Sequence, residues 1–440
     1  MSLADTDRRL ARDCWYEHSV VREPARPALK GRVDCDVAVV GGGIAGLSAA
    51  LELRRHGLGV RLLEAGRFGS GASGRNGGQA LHGLACDLSV IERQVGHEDA
   101  RRVFAMTLEA LDLMRTRITR HRIDCDWRDG CLAVATSARK AQALWRAADE
   151  LESRYGHAQQ RISRPDLSRW LDSPRYHAAL HDPVCGHLHP LKYTLGLARA
   201  AEDAGAMLHE DSAVTRLQQG SAVTLQTAAG QVRARHVLLA GNVHLGSLAP
   251  SIASRVMPVG TYIAATERLG PVLARSLIPS GAAVSDTDVV LDYFRLSDDD
   301  RLLFGGRVSY STRTPTRLTH LMRRRIAQVF PQLAGVRVEH CWGGFVDITM
   351  NRAPDFGRLP APSGALGTRS AVYYLQGFSG HGIALAGMAG RLVAEAISGD
   401  AGRFDVFSRL RHRPFPGGRW LRTPALVLGM GWYRLKDLLS

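Results

Sequence analysis

Residues 36–46 confine the fold more than any other stretch of the chain. The β-branched run DVAVV, residues 36–40, passes directly into GGGIAG, and Ile44, Leu47, Ala50 and Leu51 then recur at helical spacing until Gly57. A strand, a glycine turn and a helix in that order predict the opening of a doubly wound parallel sheet. VRLLE, residues 60–64, reads as the second parallel strand. Gly41 permits the tight turn, Gly43 lets the backbone approach a pyrophosphate, and Gly46 allows close packing of helix on strand. The helix start at Ile44 and Ala45 offers free N–H groups to the phosphates. Glu64 stands 18 residues past Gly46, where an acid accepts ribose hydroxyls. Its charge disfavours a 2′-phosphate.

The next segment selects among dinucleotides. AGRFGSGASGRNGGQ, residues 65–79, holds six glycines and no bulky apolar residue after Phe68. It predicts an extended loop in place of a third strand. Ala65, Ser73, Gly74, Arg75, Asn76, Gly77 and Gly78 there offer backbone and side-chain polar groups along a long cofactor such as FAD. The chain carries a single dinucleotide fingerprint, so electrons are expected from a substrate and not from a second nicotinamide site.

GGGIAGLSAALEL, LLEAGRFGSGASGRNGG and GFSGHGIALAGMAGRLVAE together resemble the FAD-dependent D-amino-acid-oxidase, sarcosine-oxidase and glycine-oxidase superfamily. Within it, SGRNGGQ, FGGR, WGGFVDITMNRAPDFG, FSGHG and the C-terminal tail are most similar to the γ-glutamylputrescine oxidase group. The resemblance extends from about residue 15 almost to the end. It implies an α/β fold, with a Rossmann-like FAD-binding domain interleaved with an α+β substrate domain built on an antiparallel sheet. It also implies that Val214 meets the adenine end by its backbone and that Ala240 and Gly241 lie beside the pyrophosphate. Relatives of the sarcosine-oxidase type attach flavin through a cysteine in the region resembling 342–357. Here Gly343, Gly344 and Phe345 stand there and Cys341 is out of register, so non-covalent FAD is expected.

Later segments fit this plan. HLHPLKYTLGLARAAEDAGA (187–206) reads as a turn at Pro190 and then a helix. AMLHEDSAVTRL (206–217), VRARHVLLAGN (232–242) and AVYYL (371–375) read as strands. The stretches ARRVFAMTLEALDLMRTRI, CLAVAT, TYIAATE, VVLDYFRLS and RLLFGGRVS suit a helix followed by an antiparallel sheet. The expected division is therefore a discontinuous FAD domain (30–80, 186–248 and 346–400), a substrate domain (81–185 and 249–345) and a basic C-terminal extension (401–440).

Composition excludes several other classes. Apolar residues make up 45% and charged residues 22%, ordinary for a packed globular chain. No apolar run reaches spanning length, and the first residues lack the order of a secretory signal, so a cytoplasmic protein is expected. The formal charge is +15, yet only Lys30, Lys140, Lys192 and Lys436 are lysines. Scattered arginine without an aromatic platform argues against nucleic acid. The tail concentrates part of the charge and is the candidate contact with a subunit or membrane surface. Seven cysteines without paired spacing predict no metal site and no disulfide framework.

The expected reaction is hydride transfer from the carbon beside an amine to FAD, giving an imine and then an aldehyde. The expected substrate is a small-molecule amine, γ-glutamylputrescine or a related N-acylated polyamine, with O2 or another electron acceptor. The alternatives are oxidation of a small amino acid and, from another class, a tRNA-binding flavoprotein. His381, between glycines at the start of the last helix, is the candidate for the flavin's pyrimidine edge, with Gly377, Ser379, Gly380 and Gly382 around it. Arg307 is the candidate for a substrate carboxylate. Tyr262 and Trp342 are candidates for the amine pocket wall. Asn76 and Gln79 close the flavin loop, and Asp347 is read as a turn carboxylate or an ammonium ligand.

Overall fold

The computed structural model describes residues 3–288, 291–309, 317–361 and 371–416, with the side chains of 307–309 also left aside. Its strands, in chain order, are β1 Gly31–Val40, β2 Val60–Leu63, β3 Gln79–Ala80, β4 Arg128–Ala135, β5 Gln160–Ile162 and β6 Ala178–His187. They continue with β7 Met207–His209, β8 Arg216–Gln218, β9 Val223–Gln226, β10 Gly230–Leu239, β11 Val256–Thr266 and β12 Ala283–Asp286. The last are β13 Tyr293–Leu296, β14 Leu302–Ser309, β15 Val338–Thr349, β16 Asp355–Arg358 and β17 Ala371–Gln376. Six helices position the site: α1 Leu3–Leu10, α2 Ile44–Arg55, α3 His97–Arg120, α4 Pro190–Asp203, α5 Leu318–Val329 and α6 Gly382–Ile397.

The first sheet runs β16-β17-β10-β1-β2-β7, with β17, β10, β1, β2 and β7 parallel. VAVV, residues 37–40, is apolar throughout because both faces of β1 are covered there. Val37 and Val39 join the core beneath α2, α4 and α6, while Ala38 and Val40 join the core on the far face. The stretch 206–217, expected as one strand, is two. Met207–His209 pairs with β2, whereas Arg216–Gln218 pairs with β9. The polar run between them leaves the sheet. Likewise 65–79 is not wholly extended, because Ala72–Arg75 forms one helical turn.

The second sheet runs β15-β11-β14-β13-β12-β4-β6-β3, with β5 on β6. It is antiparallel except for one parallel pair, β4 with β12, where the two separated halves of the chain meet. The expected boundary at residue 81 does not follow the packing. Helix α3 buries Ala110, Leu111 and Met114 in the core it shares with α2 and α6, beside the first sheet. The start of the expected C-terminal extension is docked as well, since Arg403 pairs with Glu109 and Arg409 with Asp99 on α3. Residues 417–440 lie outside the described residues, and so does the expected tail contact.

Helix α6 crosses α2 at very short range. A Cβ on Gly390 would stand 2.6 Å from the Ala45 carbonyl oxygen and 2.7 Å from the Ala49 nitrogen. Overpacking of this kind costs about 1–3 kcal/mol. Gly390→Ala is expected to lower stability by that amount in urea unfolding. Gly335→Ala, at an exposed position with nothing within 4 Å, is the control and leaves it nearly unchanged.

Candidate functional site

The carboxyl ends of the parallel strands gather three segments that lie far apart in sequence. The first is the turn after β1. A Cβ on Gly46 would lie 2.0 Å from the Gly41 carbonyl oxygen, so only glycine lets α2 start this close to the strand. A Cβ on Gly43 would lie 2.6 Å from Ser73 Oγ, and that hydroxyl accepts the Ile44 N–H at 3.0 Å. Ser73 therefore stands at the α2 N-terminus although 29 residues separate it from Ile44. Ala240 and Gly241 close the same turn, the Ala240 N–H donating to Val40 at 2.8 Å.

Glu64 follows β2. Its carboxylate accepts the Gly42 N–H at 2.7 Å and the Gly66 N–H at 2.9 Å. Enclosure by protein pushes its carboxyl up, against those two donors. The Glu64 carbonyl accepts the Ser212 N–H at 2.7 Å, which brings the segment holding Val214 to this end of the sheet.

The glycine-rich loop is braced from within. Asn76 donates to the Ala72 and Ser73 carbonyls, and its amide oxygen accepts the Gly78 N–H at 2.9 Å. Gln79 donates to the Val284 carbonyl at 2.9 Å. Both side chains hold the loop's shape and its seat on the second sheet. Arg75 is 4% exposed. It donates to the Gly343 carbonyl at 3.0 Å and pairs with Asp7 of α1 at 2.6 Å.

The third segment is the turn into α6. Gly377 has φ +77, and a Cβ there would meet Thr349 at 2.6 Å. The buried Asp347 carboxylate accepts the Gly377 N–H, and its carbonyl accepts the Ser379 N–H at 3.1 Å. Asp347 thus braces the turn, the first of the two roles read from the sequence. Ser379 is buried with φ +52, while Gly380 is exposed. His381 stands at the N-cap position before Gly382, the first residue of α6, without a side-chain capping hydrogen bond. Burial, with His82 and Arg352 nearby, lowers the imidazole to about 4. It is neutral at pH 7.

The two expected pocket aromatics separate. Register pairs Ile263 with Trp342 and Tyr262 with Gly343, so the two rings leave opposite faces of the sheet. Trp342 packs against Tyr16, Leu191 and Ile263, and its indole N–H donates to the Arg75 carbonyl at 2.9 Å. Tyr262 packs with Leu10, Val243 and Phe345. They cannot wall one pocket, because alternation along a strand separates neighbouring register positions. The Arg307 backbone pairs with Tyr262, and its side chain lies outside the described residues.

Sequence reasoning passed over three contributors. Tyr293 lies so close to the loop that a Cβ on Gly77 would stand 2.5 Å from its ring. Arg295, buried, donates to the Gly77 carbonyl at 2.8 Å and to the Tyr16 hydroxyl at 3.1 Å. LDYFRLS carried both as strand residues, and the one available signal was an arginine inside an apolar run. The third is the N-terminal segment with Asp7, Trp15 and Tyr16, which no motif marked. Lys192 is tied to Asp126 at 2.7 Å at the start of α4.

The chain matches the FAD dependent oxidoreductase (DAO) family over residues 36–396. It belongs to that family. It is 43% identical over 428 residues to the γ-glutamylputrescine oxidoreductase of Escherichia coli K12, covering 97% of this chain and 98% of that one. A probable oxidoreductase OrdL of Haemophilus influenzae is 38% identical, covering 93% and 94%. The crystal structure of glycine oxidase from Geobacillus kaustophilus superposes with a TM-score of 0.70 at 23% identity, covering 86% of this chain and 99% of that one.

The protein is an FAD-dependent oxidoreductase of the amine-oxidase type, and its residues fit the cofactor. Gly43, Ile44 and Ser73 form a cradle at a helix N-terminus that a Cβ would fill. Glu64 and the Ser212–Val214 segment meet at the carboxyl end of β2, and the Gly377–Gly382 turn supplies a second helix start. Among the described residues no helix is long and apolar enough to cross a membrane.

Asp347 gives this turn a pH signature. Burial raises its carboxyl to about 6 from an ordinary 3.8. A raised carboxyl stabilises the folded state below the unfolded value and loses that contribution as pH climbs through the folded one. Two units correspond to about 3 kcal/mol. Urea unfolding of wild type and Asp347→Asn between pH 4 and 7 should show the wild type losing ground as pH rises. Parallel profiles would contradict it.

Proposed function

We propose that the protein oxidises the primary amine of γ-glutamylputrescine or a related N-acylated polyamine, with O2 as electron acceptor. The observation that carries this reading is the 43% identity to γ-glutamylputrescine oxidoreductase along 97% of the chain. When bound, FAD accepts a hydride from the carbon beside the neutral amine, and water then hydrolyses the imine to aldehyde and ammonia.

The chain's own residues orient and enclose. The α2 N-terminus and Ser73 would hold the pyrophosphate, and the Gly377–Gly382 turn would hold the ring's polar edge. Asp347 fixes that turn, while Arg295 and Arg75 fix the loop on the other side. Tyr293, packed against the loop at Gly77, would face the substrate side. The flavin is held without a covalent bond. Cys341 shares the sheet face opposite Trp342, packs toward the α5 core, and burial pushes its thiol up to about 12. A thiol of that kind is a poor nucleophile.

Anaerobic mixing with a panel of amines tests the substrate. γ-Glutamylputrescine should bleach the flavin absorbance, and re-oxidation in air should release hydrogen peroxide. Bleaching by glycine, sarcosine or D-alanine in its place would move the reading to small amino acids. Acid precipitation tests the attachment. Yellow colour should stay in the supernatant, and a yellow pellet would refute a non-covalent flavin.

A further inference from the structure

The N-terminal segment wraps the free edge of the second sheet. β15 is the end strand there, and Asp13 accepts its Cys341 N–H at 2.9 Å. After Asp13 the segment places Trp15 and Tyr16 against Trp342, and before it Leu10 of α1 packs with Val243, Tyr262 and Phe345 on the opposite face. Asp7 lies one turn before Leu10 and is 7% exposed. Its Oδ2 accepts from Arg75 Nη2 at 2.6 Å and stands 3.4 Å from His244 Nε2, while its carbonyl accepts Arg75 Nη1 at 3.1 Å. Burial pushes the Asp7 carboxyl up, but His244 and Arg75 outweigh it and hold the group below its usual range. Arg75 belongs to the glycine-rich loop, and His244 to the single turn Asn242–His244 that follows Gly241. Asp7 thus ties together two segments that line the FAD site. Its other oxygen, Oδ1, is buried and has no hydrogen-bond partner among the described residues. A buried carboxylate oxygen is costly until a donor reaches it.

Strand order locates that donor. β10 lies between β1 and β17 in the first sheet. The phosphate cradle follows β1 and the Gly377–Gly382 turn follows β17, so two strand spacings, about 10 Å, separate them. A cofactor laid from one to the other crosses the end of β10, where Gly241 and His244 stand with Asp7 beside them. The part of FAD between its pyrophosphate and its ring is the ribityl chain, whose hydroxyls are donors. We propose that Asp7 is an FAD-binding residue, its Oδ1 accepting a ribityl hydroxyl while its Oδ2 clasps the glycine-rich loop to the turn after β10. The inference rests on the FAD site described above and not on the identity of the amine.

The test uses full-length protein freed of flavin and titrated with FAD, with an FAD analogue carrying an unhydroxylated alkyl chain in place of ribityl, or with ADP. Asp7→Ala leaves the Asp13 anchor in place. It should weaken FAD by about tenfold or more, the scale of a hydrogen bond to a charged group, and should speed FAD release as followed by flavin fluorescence. ADP, which lacks the linker, should bind as it does to wild type. The wild-type preference for FAD over the alkyl analogue should shrink by the factor that FAD loses. If Asp7→Ala does not fold, Asp7→Asn, which keeps an oxygen for Arg75 and turns the other position into a donor, is read in the same way. Unchanged FAD affinity would overturn the proposal. Equal losses for FAD and the alkyl analogue would also overturn it, leaving Asp7 a brace of the loop alone. A parallel loss for ADP would overturn it as well, because the effect would then belong to the pyrophosphate turn. The amine panel is read separately, so failure here leaves the proposed substrate standing.

Discussion

Backbone closeness at Gly41 is the constraint from which the site follows. A Cβ on Gly46 would lie 2.0 Å from its carbonyl oxygen, and a Cβ on Gly41 would lie 2.5 Å from the Ala240 carbonyl oxygen. Strand β1, helix α2 and the end of β10 therefore converge within a few ångströms, with no side chain between them. Such closeness brings the first N–H groups of α2 to the Ser73 hydroxyl, which accepts the Ile44 N–H. Gly390 repeats the device one layer away and brings α6 onto α2. Since α6 begins at the His381 turn, the same packing that places the α2 N-terminus also fixes where that turn lies.

The second sheet meets this framework through buried polar contacts and not through an apolar seam alone. Arg75 and Arg295 both end on backbone carbonyls, of Gly343 and Gly77, and Trp342 donates to the Arg75 carbonyl. A guanidinium enclosed in this way demands full pairing, because an unpaired buried charge is costly. That demand makes the loop's geometry nearly unique. The N-terminal segment completes the pairing through Asp7 and Tyr16, so it belongs to the site's architecture although it lies far from the fingerprint in sequence.

What could be read from the sequence was what depends on local spacing. The strand–glycine–helix unit, Glu64, Ser73 and the GFSGHG turn each announce themselves within a few residues, and their physical roles need no distant partner. The contributions of Tyr293 and Arg295 depend on pairing between segments over 200 residues apart, and that of Asp7 on a partner 68 residues away, which no periodicity encodes. Tyr262 and Trp342 show the same limit from the other side. Their aromatic character was legible, but the face each takes depends on register, and register placed them apart. The one parallel pair in the second sheet, β4 with β12, was hidden for that reason too.

A structure of the FAD-loaded protein measures the central claim most directly. The account predicts the pyrophosphate at the amides of Gly43 and Ile44 beside Ser73, with the flavin's polar edge at the Gly377–Gly382 turn and its open face toward Tyr293. A flavin ring on the Tyr262 and Phe345 face of the second sheet, or one without contact to the His381 turn, would contradict it.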